Sequence, residues 1–169
     1  MTEIEVKSIL IKELNFSQDS LYKLDIFCKE LILYNEKFNL IGKSTINTIW
    51  ERHVLDSAQL VKFIDFKDNL SLSDLGTGAG FPGIVLAIFN KNPKFHVKLY
   101  EKSRVKTKFL SNICEKLSIK ASIFEDSYNT HNILSYYVVS RAFKKLEEHI
   151  RISREIIKVN HKLIILKGK

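Results

Sequence analysis

Hydrophobic and polar positions divide the chain into a helical first part and an alternating second part. Over residues 4–14, and again over 19–38, apolar residues recur every three or four positions, which predicts two amphipathic helices. A third helical pattern covers residues 45–64. Ser17 is a favoured N-cap for the second helix, and Gly42 is where we expect a left-handed residue after it.

Strand and helix patterns alternate through the second part of the chain. The predicted strands cover residues 70–75, 95–101, 119–124, 136–140 and 162–166. Helical patterns lie between them, the clearest at 104–117 and 146–159. Alternation of this kind is typical of an α/β fold with a parallel, doubly wound sheet. We therefore predict an N-terminal helical extension over residues 1–65 and a Rossmann-like domain over 66–169.

A glycine-rich loop follows the first predicted strand, with the sequence DLGTGAGFPG at residues 74–83. Glycine tolerates positive φ and lets a ligand approach the backbone closely. Pro82 suits the start of the next helix, whose free N–H groups would face that ligand. The loop therefore predicts a cofactor site.

Two cofactors fit this loop. The G-x-G-x-x-G pattern at 78–83 matches a dinucleotide fingerprint, with Glu101 near the position of a ribose-binding acid. The longer pattern D-x-G-x-G-x-G at 74–80 resembles motif I of the class I S-adenosylmethionine methyltransferases. An acid such as Asp74 is favourable beside an ammonium and a sulfonium, and gains nothing beside a pyrophosphate. We favour S-adenosylmethionine, although Asp74 has a simpler alternative role in capping the turn.

Composition is consistent with a cytosolic globular domain carrying a short appendage, because the 169 residues are 45% hydrophobic and 27% charged. No apolar run is long enough to span a membrane, and the first residues lack a signal-peptide pattern. Cys28 and Cys114 are expected to be buried or half-buried, without a disulfide or a metal site. The net charge of +8 favours a polyanionic partner such as nucleic acid, although an AT-rich genome would also enrich lysine.

Four sequence blocks together resemble the bacterial 16S ribosomal RNA guanine-N7 methyltransferases known as RsmG or GidB. The blocks are Asn-Leu at 39–40, RHVLDS at 52–57, the loop at 74–83 and SRAF at 140–143, and Lys-Gly at 167–168 also fits. The resemblance implies a class I methyltransferase that uses S-adenosylmethionine to methylate a guanine in the 530 loop. Its partner would be 16S rRNA or the 30S ribosomal particle.

The pattern and the resemblance together nominate the site residues. The cofactor-binding candidates are Asp74, Gly76, Gly78, Phe81, Glu101, Ser127, Tyr128 and Arg141. Among these, the resemblance places Ser127 and Tyr128 on the adenine side. The RNA-binding candidates are Arg52, His53, Lys102, Arg104, Lys106 and Lys167. Guanine N7 carries a lone pair and no proton, so we nominate no general base and assign Arg141 to orienting the guanine through its O6 atom.

Several departures from the family pattern leave alternatives open. Asp126-Ser127-Tyr128 replaces an Arg-Ala-Glu-like triplet, and Tyr137 stands where an aspartate is usual. The family also continues with two further strands beyond the printed chain. One alternative is a degenerate copy that binds RNA without catalysis, and a weaker one is a nicotinamide-dependent oxidoreductase. At single positions, His53 could be a core histidine, Asp56 could pair with Arg52, and Tyr136 and Tyr137 are both expected in the core of a strand.

Overall fold

The computed structural model describes residues 1–125, 132–141 and 146–167. The chain begins with helices α1 (Glu3–Lys12) and α2 (Gln18–Phe38). The mixed helical segment (43–63) follows and leads into the sheet. From there the elements are β1 (Ser71–Leu75), α3 (Gly83–Phe89), β2 (His96–Tyr100), α4 (Arg104–Lys116), β3 (Ala121–Phe124), β4 (Tyr137–Arg141), α5 (Leu146–Ile156) and β5 (Lys162–Leu166).

The ends of α2 follow the predicted capping at one end only. The Ser17 side chain accepts a hydrogen bond from the Ser20 amide, as expected of an N-cap. At the other end, Asn39 takes the left-handed conformation, with φ 48° and ψ 54°. Gly42 has an ordinary φ of −63°, so the prediction for this glycine was wrong. Asparagine tolerates the left-handed region well enough to end the helix three residues earlier.

The predicted third helix is a succession of short turns of different geometry. A 3₁₀ turn (Lys43–Thr48) is followed by a π turn (Trp50–Leu55), a single α turn (Asp56–Ala58) and a second 3₁₀ turn (Gln59–Phe63). Hydroxyl groups bond to backbone carbonyls within it: Thr45 to Gly42 at 2.8 Å and Ser57 to His53 at 2.6 Å. Such bonds compete with regular helical bonding, which the apolar spacing alone does not reveal.

The five strands form one parallel sheet in the order β3-β2-β1-β4-β5, which confirms the predicted α/β architecture. The chain moves outward from β1 to β3 and then crosses to β4 on the other side of β1. The strand order therefore reverses between β1 and β4. Open sheets of this kind bind ligands at the carboxyl ends of the strands beside such a switch point. The glycine loop leaves β1 at that position.

The N-terminal helices share a hydrophobic core with the sheet domain. Phe27 on α2 packs against Phe81 of the glycine loop, with ring centroids 5.2 Å apart, and Tyr34 packs against Phe109 of α4 at 5.2 Å. Because of this shared core, the segment that follows α2 lies close to the glycine loop. The division at residue 65 stays a prediction.

Three further predictions concern single residues. Tyr137 is buried, and its hydroxyl accepts a hydrogen bond from the Asp65 amide at 2.9 Å, which confirms its position in the core. Tyr136 is 44% exposed because it precedes the first residue of β4, so the core position predicted for it was wrong. Cys28 is buried and Cys114 half-buried, and both are free thiols, as predicted. Within the described ranges, no helix has the length and apolar character needed to cross a membrane.

Candidate cofactor and RNA site

A cavity of about 510 Å³ opens at the carboxyl end of the sheet, beside the point where the strand order reverses. The glycine loop after β1 forms its floor, the ends of β4 and β5 form one wall, and the mixed helical segment lies above them. The residues that line it are Leu40, Ile41, Thr45, Arg52, His53, Asp56, Gln59, Gly76, Thr77, Gly78, Ala79, Phe81, Lys106, Arg141, Leu166 and Lys167. Both predicted groups of site residues contribute to this lining.

The glycine loop is shaped by positive φ angles and is attached to the end of β2. Gly76 has φ 67° and Gly78 has φ 61°, values that glycine adopts without steric cost. The Thr77 amide donates to the Tyr100 carbonyl at 3.0 Å, and the Gly78 amide donates to Glu101 Oε2 at 3.0 Å. A Cβ at Gly78 would meet no atom closer than the Gly76 oxygen at 3.9 Å, so it would enter the open space above the loop.

Asp74 lies beneath the loop and does not line the cavity. Its side chain is fully buried, and Oδ2 accepts a hydrogen bond from the Gly83 amide at 2.7 Å. Among the described residues, Oδ1 has no hydrogen-bond partner. Burial raises the pKa of this carboxyl to about 7. The geometry supports the turn-capping alternative, because the carboxylate joins β1 to the first residue of α3 instead of facing a ligand.

Glu101 also lies behind the cavity wall. It is 8% exposed, with Oε2 bonded to the Gly78 amide and Oε1 accepting from the Ser103 amide at 2.8 Å. Each oxygen retains a free lone pair after these bonds. Glu101 therefore fixes the loop against the start of α4, and its predicted contact with a ribose stays a prediction. Ser127 and Tyr128 lie outside the described residues.

Arg141, at the end of β4, is held against the mixed helical segment by two hydrogen bonds. Its Nη1 donates to the Arg52 carbonyl at 3.0 Å, and its Nη2 lies 2.6 Å from His53 Nδ1. The guanidinium carbon is 5.2 Å from the centre of the Phe81 ring, within cation–π range. The result is a cation fixed on the cavity wall next to the glycine loop.

His53 is buried between Arg141 and Thr45. Its Nε2 lies 2.8 Å from Thr45 Oγ1, and its ring centroid lies 5.0 Å from that of Phe81. Burial, followed by the charges of Arg141 and Arg52, lowers the pKa of His53 to about 4. The imidazole is therefore neutral at physiological pH. Its predicted RNA contact is not supported by this position, because both ring nitrogens already have protein partners.

The basic RNA-binding candidates separate into two groups. Arg52, Lys106 and Lys167 line the cavity, as predicted for residues around a substrate entrance. Lys102 and Arg104 do not, and Arg104 instead pairs with Glu125 at 2.7 Å on the protein surface. Both remain exposed on the loop before α4 and on its first turn. Their contact with RNA stays a prediction.

The proposed Asp56–Arg52 pair is not formed in the described part of the chain, where neither residue makes an ion pair within 4 Å. The intervening π turn contains more residues per turn than an α-helix, so positions four apart no longer lie on one line. Asp56 lines the cavity separately. Burial raises its pKa above the ordinary value.

Sequence reasoning did not nominate Thr45, Gln59, Thr77 or Ala79, which also line the cavity. Thr77 and Ala79 lie between the nominated glycines, so their position follows once the loop geometry is known. Thr45 had a weaker signal as a residue that favours the start of a helix. Its bond to His53 depends on the irregular turns between them.

Comparison with known proteins agrees with this geometry. The model of the family described as rRNA small subunit methyltransferase G matches residues 20–169. The chain is 34% identical over 174 residues to ribosomal RNA small subunit methyltransferase G of Pelagibacter ubique, covering 100% of this chain and 81% of that one. The protein of that name from Rickettsia akari is 36% identical over 153 residues, covering 90% and 78% of the two chains.

A solved structure gives the same architecture. A SAM-dependent methyltransferase from Aquifex aeolicus superposes with a TM-score of 0.57 at 16% identity, covering 76% of this chain and 74% of that one. The parallel five-stranded sheet with its helices therefore has the class I methyltransferase fold. With the sequence matches, this similarity leads to one assignment: the chain belongs to the rRNA small subunit methyltransferase G family.

Proposed function

We propose that this protein transfers the methyl group of S-adenosylmethionine to N7 of a guanine in the 530 loop of 16S rRNA, either in free rRNA or in the 30S particle. The family and the fold support S-adenosylmethionine as the cofactor, in preference to a nicotinamide dinucleotide. The observation that carries the proposal is the Arg141 cation, held beside the glycine loop on the wall of the cavity.

The residues of the cavity suit this cofactor. Gly76 and Gly78 present backbone without a Cβ, and Phe81 offers an apolar surface beside them. The Glu101 carboxylate lies just behind the loop and makes that region electronegative toward a cationic ligand. When bound, S-adenosylmethionine supplies an electrophilic methyl group on its sulfonium. The protein's task is then to align the guanine with that group and to exclude water.

Guanine N7 requires no proton removal, so the proposed reaction needs no general base. Both nitrogens of His53 are engaged, and the low pKa of the ring makes it a weak proton acceptor. Arg141 uses two of its five N–H donors in its described bonds. The others are available for the O6 edge of a guanine, which arginine matches geometrically. N7 is then left free for attack.

The cations around the cavity fit a nucleic-acid substrate. Arg52 and Lys167 are exposed on the lining, Lys106 is half-buried there, and all three are free of described ion pairs. Phosphate contacts from such residues supply much of the affinity for RNA and position the target without reading its sequence. We therefore assign them to the rRNA backbone near the methylated guanine.

The test is transfer of a labelled methyl group to 30S subunits that lack the modification. We expect the wild-type protein to label 16S rRNA, and Arg141→Lys to lower the turnover by about 10-fold to 100-fold through loss of the planar donor pair. S-adenosylmethionine affinity is measured in parallel by calorimetry. Binding of RNA and cofactor without any transfer would overturn the proposal in favour of a non-catalytic RNA-binding module.

A further inference from the structure

We infer that His53 is a positioning residue that sets the orientation of the Arg141 guanidinium in the cavity. The inference rests on the proposed function for its catalytic consequence, but its geometric content can be tested separately. It replaces the RNA contact predicted for His53 with a role inside the protein.

The hydrogen-bond chemistry leaves one protonation state for the ring. Arginine only donates, so His53 Nδ1, 2.6 Å from Arg141 Nη2, must be the acceptor and carry no proton. The proton of the neutral ring is then on Nε2, which donates to Thr45 Oγ1 at 2.8 Å. The Thr45 hydroxyl in turn donates to the Gly42 carbonyl at 2.8 Å. Every donor in this chain of bonds has an acceptor.

Three groups together fix the guanidinium. The Arg52 carbonyl and the His53 ring, from adjacent residues of the π turn, accept from its two terminal nitrogens. Phe81 lies against both the guanidinium and the imidazole, at 5.2 Å and 5.0 Å between centres. Of these partners, only the imidazole changes its hydrogen-bonding character with its protonation state. The direction of Arg141 therefore depends on His53 remaining neutral.

Burial keeps the ring neutral, and the surrounding charges add to its effect. Arg141 and Arg52 are the cations that lower its pKa, after the larger effect of burial. Asp56, Lys106 and Lys167 also line the cavity that these groups face, and Asp56 is the carboxylate among them. Protonation of Nδ1 would place a donor opposite the Arg141 donor, so the contact would be lost as the pH falls through about 4.

Two substitutions test the roles of the two ring nitrogens of His53 separately. Asparagine places its carbonyl oxygen where Nδ1 lies and can still accept from Arg141, whereas glutamine places its amide nitrogen where Nε2 lies and reaches only Thr45. Both lose the aromatic contact with Phe81, so each controls for the other. We expect the kcat of His53→Asn to be at least 10-fold higher than that of His53→Gln. The two variants should have similar KM values for 30S subunits and similar affinities for the cofactor.

A second measurement does not depend on activity. Imidazole ¹⁵N chemical shifts in the full-length wild-type protein should show the tautomer protonated on Nε2 between pH 5 and 8, and that preference should weaken in Arg141→Met. A proton on Nδ1, or a cationic ring at pH 6, would overturn the positioning role even if methyl transfer occurs. Equal kcat for the asparagine and glutamine variants would also overturn it. An inactive wild-type protein with the expected tautomer would refute the proposed function alone.

Discussion

Asp74 and His53 are buried titratable side chains near the glycine loop, and burial shifts their pKa values in opposite directions. The pKa of Asp74 rises from 3.8 to about 7, so the folded protein holds a proton that the unfolded chain releases. The pKa of His53 falls from 6.5 to about 4, so the unfolded chain holds a proton that the folded protein lacks. Both groups therefore make folding stability depend on pH, and their contributions have opposite signs.

Between pH 4 and 6.5 the two contributions oppose each other. The Asp74 contribution makes stability fall as the pH rises, because the folded state binds the extra proton. The His53 contribution makes stability rise, because the unfolded state binds it. In Asp74→Asn, we expect the free energy of unfolding to rise with pH over this range, and in His53→Asn we expect it to fall. Each slope should be at most about 1.4 kcal/mol per pH unit. Urea unfolding at several pH values measures both.

Asp65→Asn is a suitable control, because this carboxylate is exposed and forms only a surface pair with Lys67. Its profile should follow that of the wild type. If the free energy of unfolding changed with pH in the same direction in the Asp74 and His53 variants, the two residues would not have opposite effects on stability.

For single residues, the sequence was a better guide to which residues lie at the site than to the contacts that they make there. The nominated Gly76, Gly78, Phe81 and Arg141 do line one cavity, because motif residues of the loop and the strand ends meet at one edge of a parallel sheet. The turn-capping role of Asp74 and the core position of His53 were open only as alternatives, and the motifs did not decide between these and ligand contacts. The outcome depends on how deeply each side chain is buried, which is a property of the packed structure.

Among the elements, α3 approaches the sheet closely at its first residue, Gly83. A Cβ at Gly83 would collide with the Leu99 side chain and would lie 2.7 Å from Asp74 Oδ2. Gly83→Ala must therefore displace the buried Leu99 side chain of β2 and the Asp74 side chain of β1, or move α3 away from the sheet. We expect it to lower the free energy of unfolding by about 1–3 kcal/mol. Chemical denaturation measures this loss directly.

Gly42→Ala is the matched control, since Gly42 has φ −63° and its added Cβ would meet only Ser44 Oγ at 3.9 Å. Its effect should stay within about 0.5 kcal/mol. If the two variants were equally stable, the close contact between α3 and β1 would not be important for folding.

The first turn of α4 and the loop before it carry the cations predicted to bind RNA. Combined Lys102→Glu, Arg104→Glu and Lys106→Glu substitutions should weaken rRNA binding and flatten its dependence on salt. Each lost phosphate contact lowers the log–log slope by about 0.7 to 0.9. Filter binding at several salt concentrations measures the slope.

A triple variant with the same change in net charge provides the control. Lys12, Lys29 and Lys91 are exposed and none lines the cavity, so their replacement by glutamate tests the effect of total charge alone. Equal slopes for the two triple variants would place the RNA surface away from α4.

The strands and most helices were predictable because their signals are local. A short, continuous run of apolar residues after Lys162 located β5 at 162–166, the bounds that the structure shows. The segment 43–63 was not predictable in detail, because side-chain bonds to the backbone select among several helical geometries with the same apolar spacing. That segment carries Thr45, Arg52 and His53, so the least predictable element contributes much of the site.

For the whole molecule, the site depends on packing between distant parts of the chain. The aromatic contacts of α2 with the glycine loop and α4 bring the mixed helical segment over the carboxyl end of the sheet. As a result, His53 meets Arg141 across 88 positions of sequence. No local pattern predicts such a pair. The family resemblance identified both sequence blocks without showing that they meet.

Methyl transfer to guanine N7 is tested most directly by identifying the acceptor atom. 30S subunits that lack the modification are incubated with S-adenosylmethionine carrying a deuterated methyl group, and the rRNA nucleosides are analysed by mass spectrometry. We predict labelled 7-methylguanosine from the 530 loop, and no label when 7-deazaguanine replaces the target, although that substrate should still bind. Label on another atom, or undiminished labelling of the 7-deazaguanine substrate, would contradict the account.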